Sequence, residues 1–142
     1  MNSLKSILTL LLFLTPWGSI QLASAGTSHS HEKKPKVILG TITTQSLTLS
    51  VSTWGPLTPG KTADAEITVE PAEPAPAAVR VWVGVESAKG SAKNKTHLDE
   101  PKAGIYHGEP VVPETLPTDS QLWVEVQLKN NQRIRVPFPI KN

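Results

Sequence analysis

From Val37 to Ile140 the chain places apolar residues at every second position, in short runs parted by turn-forming residues. A period of two sends successive side chains to opposite faces, so each run reads as a β-strand with one buried face. Val37–Thr43 is a mixed first run, and Leu47, Leu49 and Val51 alternate with Thr48, Ser50 and Ser52 in a second. Gly55–Gly60 is dense in Gly and Pro and predicts a turn. Ala63, Ala65, Ile67 and Val69 then alternate with Asp64, Glu66, Thr68 and Glu70. Pro71, Pro74 and Pro76 keep the next segment out of a sheet interior, because proline offers no ladder N–H.

The clearest row is Val79, Val81, Val83 and Val85, with Arg80, Trp82, Gly84 and Glu86 on the other side. Two weaker strands, Ser91–Leu98 and Ile105–Val112, are joined by a hairpin loop at Asp99–Gly104. Leu122, Val124, Val126 and Leu128 form another aliphatic row, and Ile134, Val136, Phe138 and Ile140 close the pattern. Pro137 and Pro139, on the opposite face of that last run, mark a sheet edge or an irregular end. The sum is an all-β domain over residues 37–142: an immunoglobulin-like antiparallel β-sandwich of seven or eight strands, with a small β-barrel as the rival architecture. Val79–Val85 and Leu122–Leu128 are the expected pair of central strands facing each other across the core. No internal repeat and no second domain are evident.

The first 25 residues have a different pattern. Lys5 precedes an apolar run, Ile7–Leu14, which ends at Pro16-Trp17-Gly18 and is followed by the small residues Ala23-Ser24-Ala25. This is the layout of a cleaved secretory signal peptide, and the run is too short for a helix crossing a ~30 Å bilayer. An uncleaved anchor is the alternative. The expected location is periplasmic or secreted, with no membrane span after the signal is removed. Residues 26–36 are polar, lack an apolar period, and read as a flexible arm containing His29 and His31.

Composition narrows the chemistry. The 142 residues include no Cys, which excludes disulfides, thiolate metal sites and thiol catalysis. The net charge of +2 lacks the strongly basic field that nucleic-acid binding needs. No nucleophile elbow, phosphate loop, dinucleotide fingerprint or His-Glu-x-x-His occurs, so the domain is expected to be non-catalytic.

Histidine is the residue type with the most chemical promise. His29 and His31 lie in Ser28-His29-Ser30-His31-Glu32, where two imidazoles and a carboxylate offer ligands to Cu(II) or Zn(II). Cleavage after Ala25 leaves His29 fourth in the mature chain. Cleavage after Gly26 leaves it third, where the amine, two amides and the imidazole can wrap a square-planar Cu(II) or Ni(II). A solvated linker is the plain alternative.

His97 and His107 sit on the two weak strands. Antiparallel partners share a constant sum of residue numbers, and an even sum puts both rings on one sheet face. A sum of 204 sets His97 opposite His107, Lys95 opposite Glu109 and Asp99 opposite Ile105. With Asp99, Glu100 and Glu109 at hand, the even case offers a two-His, one-carboxylate site. Lys93, Lys95 and Lys102 would oppose it by repulsion, and ordinary surface histidines are the plain reading. Trp82 and Trp123, opposite the aliphatic rows of their strands, are either a partner surface or aromatics covered by Arg80 or a lysine stem.

Leu57-Thr-Pro-Gly-Lys61 before an alternating strand, with the closing Leu122-Trp-Val-Glu-Val126, resembles small exported bacterial immunoglobulin-like domains of the YtkA-like or copper-resistance type. Gly90-Ser-Ala-Lys93, Tyr106-His107 and Val112-Pro113 are similar to short exported proteins that accompany heavy-metal efflux systems. The resemblance covers roughly Leu57 to Val126 and implies fold more than function. Copper-resistance domains use Met-rich or His-rich segments, whereas Met1 is the only methionine here, which removes a thioether Cu(I) site.

Two functional readings follow. One is a structural or protein-interaction component that docks an envelope protein, such as an efflux component, through a sheet edge or the Trp faces. The other is a periplasmic accessory that holds Cu(II) or Zn(II) through His29 and His31 or through His97 and His107. The second requires affinity that falls below about pH 6, where imidazole protonates.

Overall fold

The computed structural model describes residues 34–44 and 46–140. The segment expected to be a signal peptide, together with His29 and His31, lies outside the described residues. The described chain is all-β, with nine strands and one short 3₁₀ turn. The strands are β1 Lys36–Thr43, β2 Thr48–Trp54, β3 Ala65–Glu70, β4 Ala78–Gly84, β5 Asn94–Lys95, β6 His97–Glu100, β7 Ile105–Gly108, β8 Gln121–Gln127 and β9 Arg133–Phe138, and the turn is Pro101–Ala103. They form two antiparallel sheets, in the orders β1-β2-β3-β7-β6 and β5-β4-β8-β9.

The inner faces of both sheets meet in one apolar core. The five-stranded sheet contributes Leu39, Leu49, Val51, Ala65, Ile67, Val69 and Tyr106, and the four-stranded sheet answers with the rows of β4, β8 and β9 down to Phe138. Each fully buried Val, Leu, Ile or Phe in these rows adds roughly 1.5–3 kcal/mol through removal from water. In β1 the ladder slips between Ile38 and Gly40, a bulge that turns Leu39 into the core and leaves Ile38 67% exposed.

The aliphatic rows of β4 and β8 do not face each other across the core. They are hydrogen-bonded neighbours in one sheet, with Val79 opposite Val126, Val81 opposite Val124 and Val83 opposite Leu122. Two adjacent strands carrying the same row build one continuous wall, and β2 and β3 supply the opposing one. A second correction concerns Ser91–Leu98, expected as one strand. The chain leaves the four-stranded sheet after Lys95 and enters the other at His97. Thr96 is the pivot: it is buried, and both its N–H and its hydroxyl donate to Val79 O at 3.0 Å. Satisfying two polar groups on one inner carbonyl lets the backbone cross between layers without an unpaired donor. Pro137 stands on β9, an edge strand, where a missing N–H leaves no gap in the ladder.

Candidate metal site and the charged outer faces

His97 and His107 are direct cross-strand partners of β6 and β7, as a register sum of 204 requires. Their rings stack with centroids 5.9 Å apart at 26°. The turn between them is fixed by Gly104, whose φ of +64° favours glycine and whose N–H donates to Pro101 O at 3.2 Å. Beyond Leu98 the register shifts, so that Glu100 rather than Asp99 lies opposite Ile105. The bulge frees Asp99 from the ladder, and its Oδ2 comes to 3.5 Å from His107 Nε2. Lys95, for its part, pairs with Arg80 in the other sheet and not with Glu109.

The wider surroundings of His107 come from β3. Glu66 is its register partner, with Oε2 3.9 Å from Nε2, and Asp64 Oδ1 is 4.0 Å from Nδ1. At 3.5–4.0 Å these are electrostatic contacts, longer than a hydrogen bond. Glu66 Oε1 also accepts from Lys36 Nζ at 2.7 Å. Three carboxylates thus surround one half-buried imidazole, while His97 is exposed. Of the three carboxylates expected beside the pair, Asp99 alone is in contact with His107 among the described ion pairs. Glu66 and Asp64 escape sequence reading because the β3–β7 pairing joins segments some forty residues apart. Of the lysines expected to repel a cation here, Lys95 lies on β5 of the other sheet and Lys93, just before β5, reaches Glu125 on that sheet.

As the side chains stand, no group of three His, Asp or Glu among the described residues is arranged as a metal cage. Stacked rings present their faces to each other, and a shared ion would need their nitrogens turned inward. His97 and Asp99 are exposed to solvent, and His107 is half-buried. Two imidazoles and a carboxylate are a borderline donor set suited to Zn(II), Cu(II) or Ni(II).

The outer face of the four-stranded sheet has a different character. Trp82 and Trp123 are direct partners with ring centroids 6.2 Å apart at 13°, and their indole N–H groups donate to Val85 O at 2.8 Å and Gly84 O at 3.1 Å. Trp82 is fully buried although it lies on the outer side, because Lys93 sits over its ring at 4.6 Å. Trp82 therefore presents no surface to a partner, and of the two expected docking aromatics only Trp123, half-buried, reaches solvent.

Glu125 lies beside this stack and is 1% exposed. Its carboxylate accepts from Lys93 Nζ and Arg135 Nε, each at 2.9 Å, and from Arg80 Nη1 at 3.4 Å. Burial alone would raise the carboxyl, but the hydrogen bonds and charges of Lys93 and Arg135 outweigh it and hold the group below the usual carboxylate range. Tyr106, beneath the histidine pair, has its hydroxyl pushed up by burial. Neither the Glu125 cluster nor its cations were legible as a unit, since they converge from four separate segments.

Searches against family models, curated proteins and solved structures found no match to this chain.

Proposed function

We propose that this chain is an exported, non-catalytic accessory with an immunoglobulin-like sandwich fold, which binds a divalent transition metal such as Zn(II) or Cu(II) at His97 and His107. The observation that carries the reading is the exact cross-strand opposition of the two histidines on a solvent face, with Asp99 released toward them by a bulge. Glu66 and Asp64 add negative charge on the same side, which favours a cation there. The fold assignment is supported by the strand orders: β2-β3-β7-β6 against β5-β4-β8-β9 follow the sequence of the ABED and C′CFG sheets, with β1 as an added edge strand. The leader pattern supports export.

The test is thermal unfolding of the mature protein carrying His29→Ala and His31→Ala, with and without Zn(II). Binding to the folded state raises the transition by mass action, about 2.7 kcal/mol at a hundredfold excess over Kd. The rise should disappear in the further variant His107→Ala. A rise that survives that change would place the metal elsewhere, and no rise at all would refute the reading.

A further inference from the structure

The molecule carries opposite charge on its two outer faces. On the four-stranded sheet, register pairing puts Arg80, Lys95, Arg133 and Arg135 on the side of Glu125, and Lys93 joins them over Trp82. Among the described residues of this sheet, five cations therefore share a face with one carboxylate, and Glu125 is buried beneath Arg80, Lys93 and Arg135. The other sheet turns Glu66, Glu70 and Glu100 outward, with Asp64 and Asp99 against His107 and Lys36 as counter-charge. A formal net charge of +2 conceals this separation.

From these observations we infer that the cationic face of β5-β4-β8-β9 is a docking surface for an acidic protein partner, one that presents a row of carboxylates. The first argument is cost. Arg80 and Lys95 occupy directly opposed positions on β4 and β5, and like charges so placed destabilise a sheet. Arg80 is offset by Glu125 and Gln127, to which it donates at 3.4 and 3.1 Å, whereas Lys95 is exposed and adds its charge to the solvent side of the sheet. The second is preorganisation. Glu125 draws Arg80, Lys93 and Arg135 to fixed positions, which lowers the ordering cost of binding. Arg135 engages Glu125 through Nε alone, and its remaining guanidinium N–H groups are suited to a second carboxylate. The third is residue type: half-buried Trp123, stacked on Trp82 and two positions along β8 from the Arg80–Glu125–Arg135 row, has the composition of an interface centre. A lipid surface fits less well, because the exposed large apolar residues Ile38, Leu98 and Val111 lie outside this sheet and Trp123, half-buried and stacked on Trp82, offers little to insert.

The experiment is fluorescence anisotropy of a fluorescein-labelled oligo-glutamate peptide titrated with the mature protein at low salt. Lys95→Glu with Arg133→Glu is the test variant, since both residues are exposed and stand outside the Glu125 cluster. Lys61→Glu, in an exposed loop, is the control. Binding should weaken with salt, fall roughly tenfold or more in the double variant, and remain in the control. No binding, or equal binding by all three proteins, overturns the inference. Tighter binding to phosphatidylglycerol vesicles than to the peptide would overturn it in favour of a membrane surface. Self-association in sedimentation that the double variant abolishes would overturn it in favour of a second copy of this chain.

Discussion

Ser91 closes the β4–β5 connection onto Gly84. Its hydroxyl donates to Val83 O at 2.6 Å and occupies the space where a Cβ on residue 84 would stand. Gly84 also has φ +140°, a conformation that strains any residue with a side chain. The Gly90-Ser91-Ala92-Lys93 segment is thereby a clamp: Gly90 turns the chain at φ +77°, Ser91 locks it to β4, and Lys93 reaches Glu125 and the Trp82 ring.

Gly84→Ala should destabilise the domain by about 1–3 kcal/mol through overpacking, with backbone strain in addition. Ser91→Ala, which removes one hydrogen bond and leaves the glycine free, should cost about 1 kcal/mol. Urea unfolding measures both. Equal and negligible effects would show that the clamp is not part of what holds β5 in place.

Glu125→Gln should lower stability at neutral pH by about 1.5–3 kcal/mol, the usual worth of hydrogen bonds to a charged group. The sign with pH follows from the lowered carboxyl. A group held down in the folded state contributes its full stability above its unfolded value, and that contribution is lost as pH falls through the folded value. The gap between wild type and variant should therefore stay level from neutral pH down to about pH 5 and narrow as the pH falls further, through the carboxylate range. A gap independent of pH would mean that the charge of Glu125 does not matter.

Gly108 is required for a different reason. A Cβ there would meet Thr96 Cγ2 and Val81 Cγ1 at 2.8 Å each. Gly108→Ala should push β7 away from β4 and cost about 1–3 kcal/mol. Because Gly108 adjoins His107, amide shifts of His97 and His107 should move in the same variant. Wild-type stability and unshifted histidines would contradict the packing seen here.

Where the alternation is strict, sequence and structure agree closely. The runs at Val79–Val85 and Leu122–Leu128 become β4 and β8, and Ala63–Glu70 supplies β3. Local period sets which face each residue takes within its own strand, but whether His97 and His107 share a face depends on the register across the Pro101–Ala103 turn, which period leaves open. It says nothing about which strands become neighbours. That is why β4 and β8 were expected to face each other rather than pair, and why Glu66 was not placed beside His107. The crossing at Thr96 is also invisible to period, since a change of sheet costs one residue and leaves the polarity pattern almost intact. Trp82 is buried on an outward position for a reason that lies in another segment, the lysine at position 93.

The most direct test of the metal reading is calorimetric titration of the mature protein with Zn(II) and Cu(II) at neutral pH, in four backgrounds. These are the wild type, His29→Ala with His31→Ala, His97→Ala with His107→Ala, and all four changes together. One-to-one binding at ~1 μM or tighter is expected, surviving loss of His29 and His31, disappearing with His97 and His107, and fading in acid as imidazole protonates. Binding that survives loss of His97 and His107, or heat no greater than that of the four-fold variant, would contradict it.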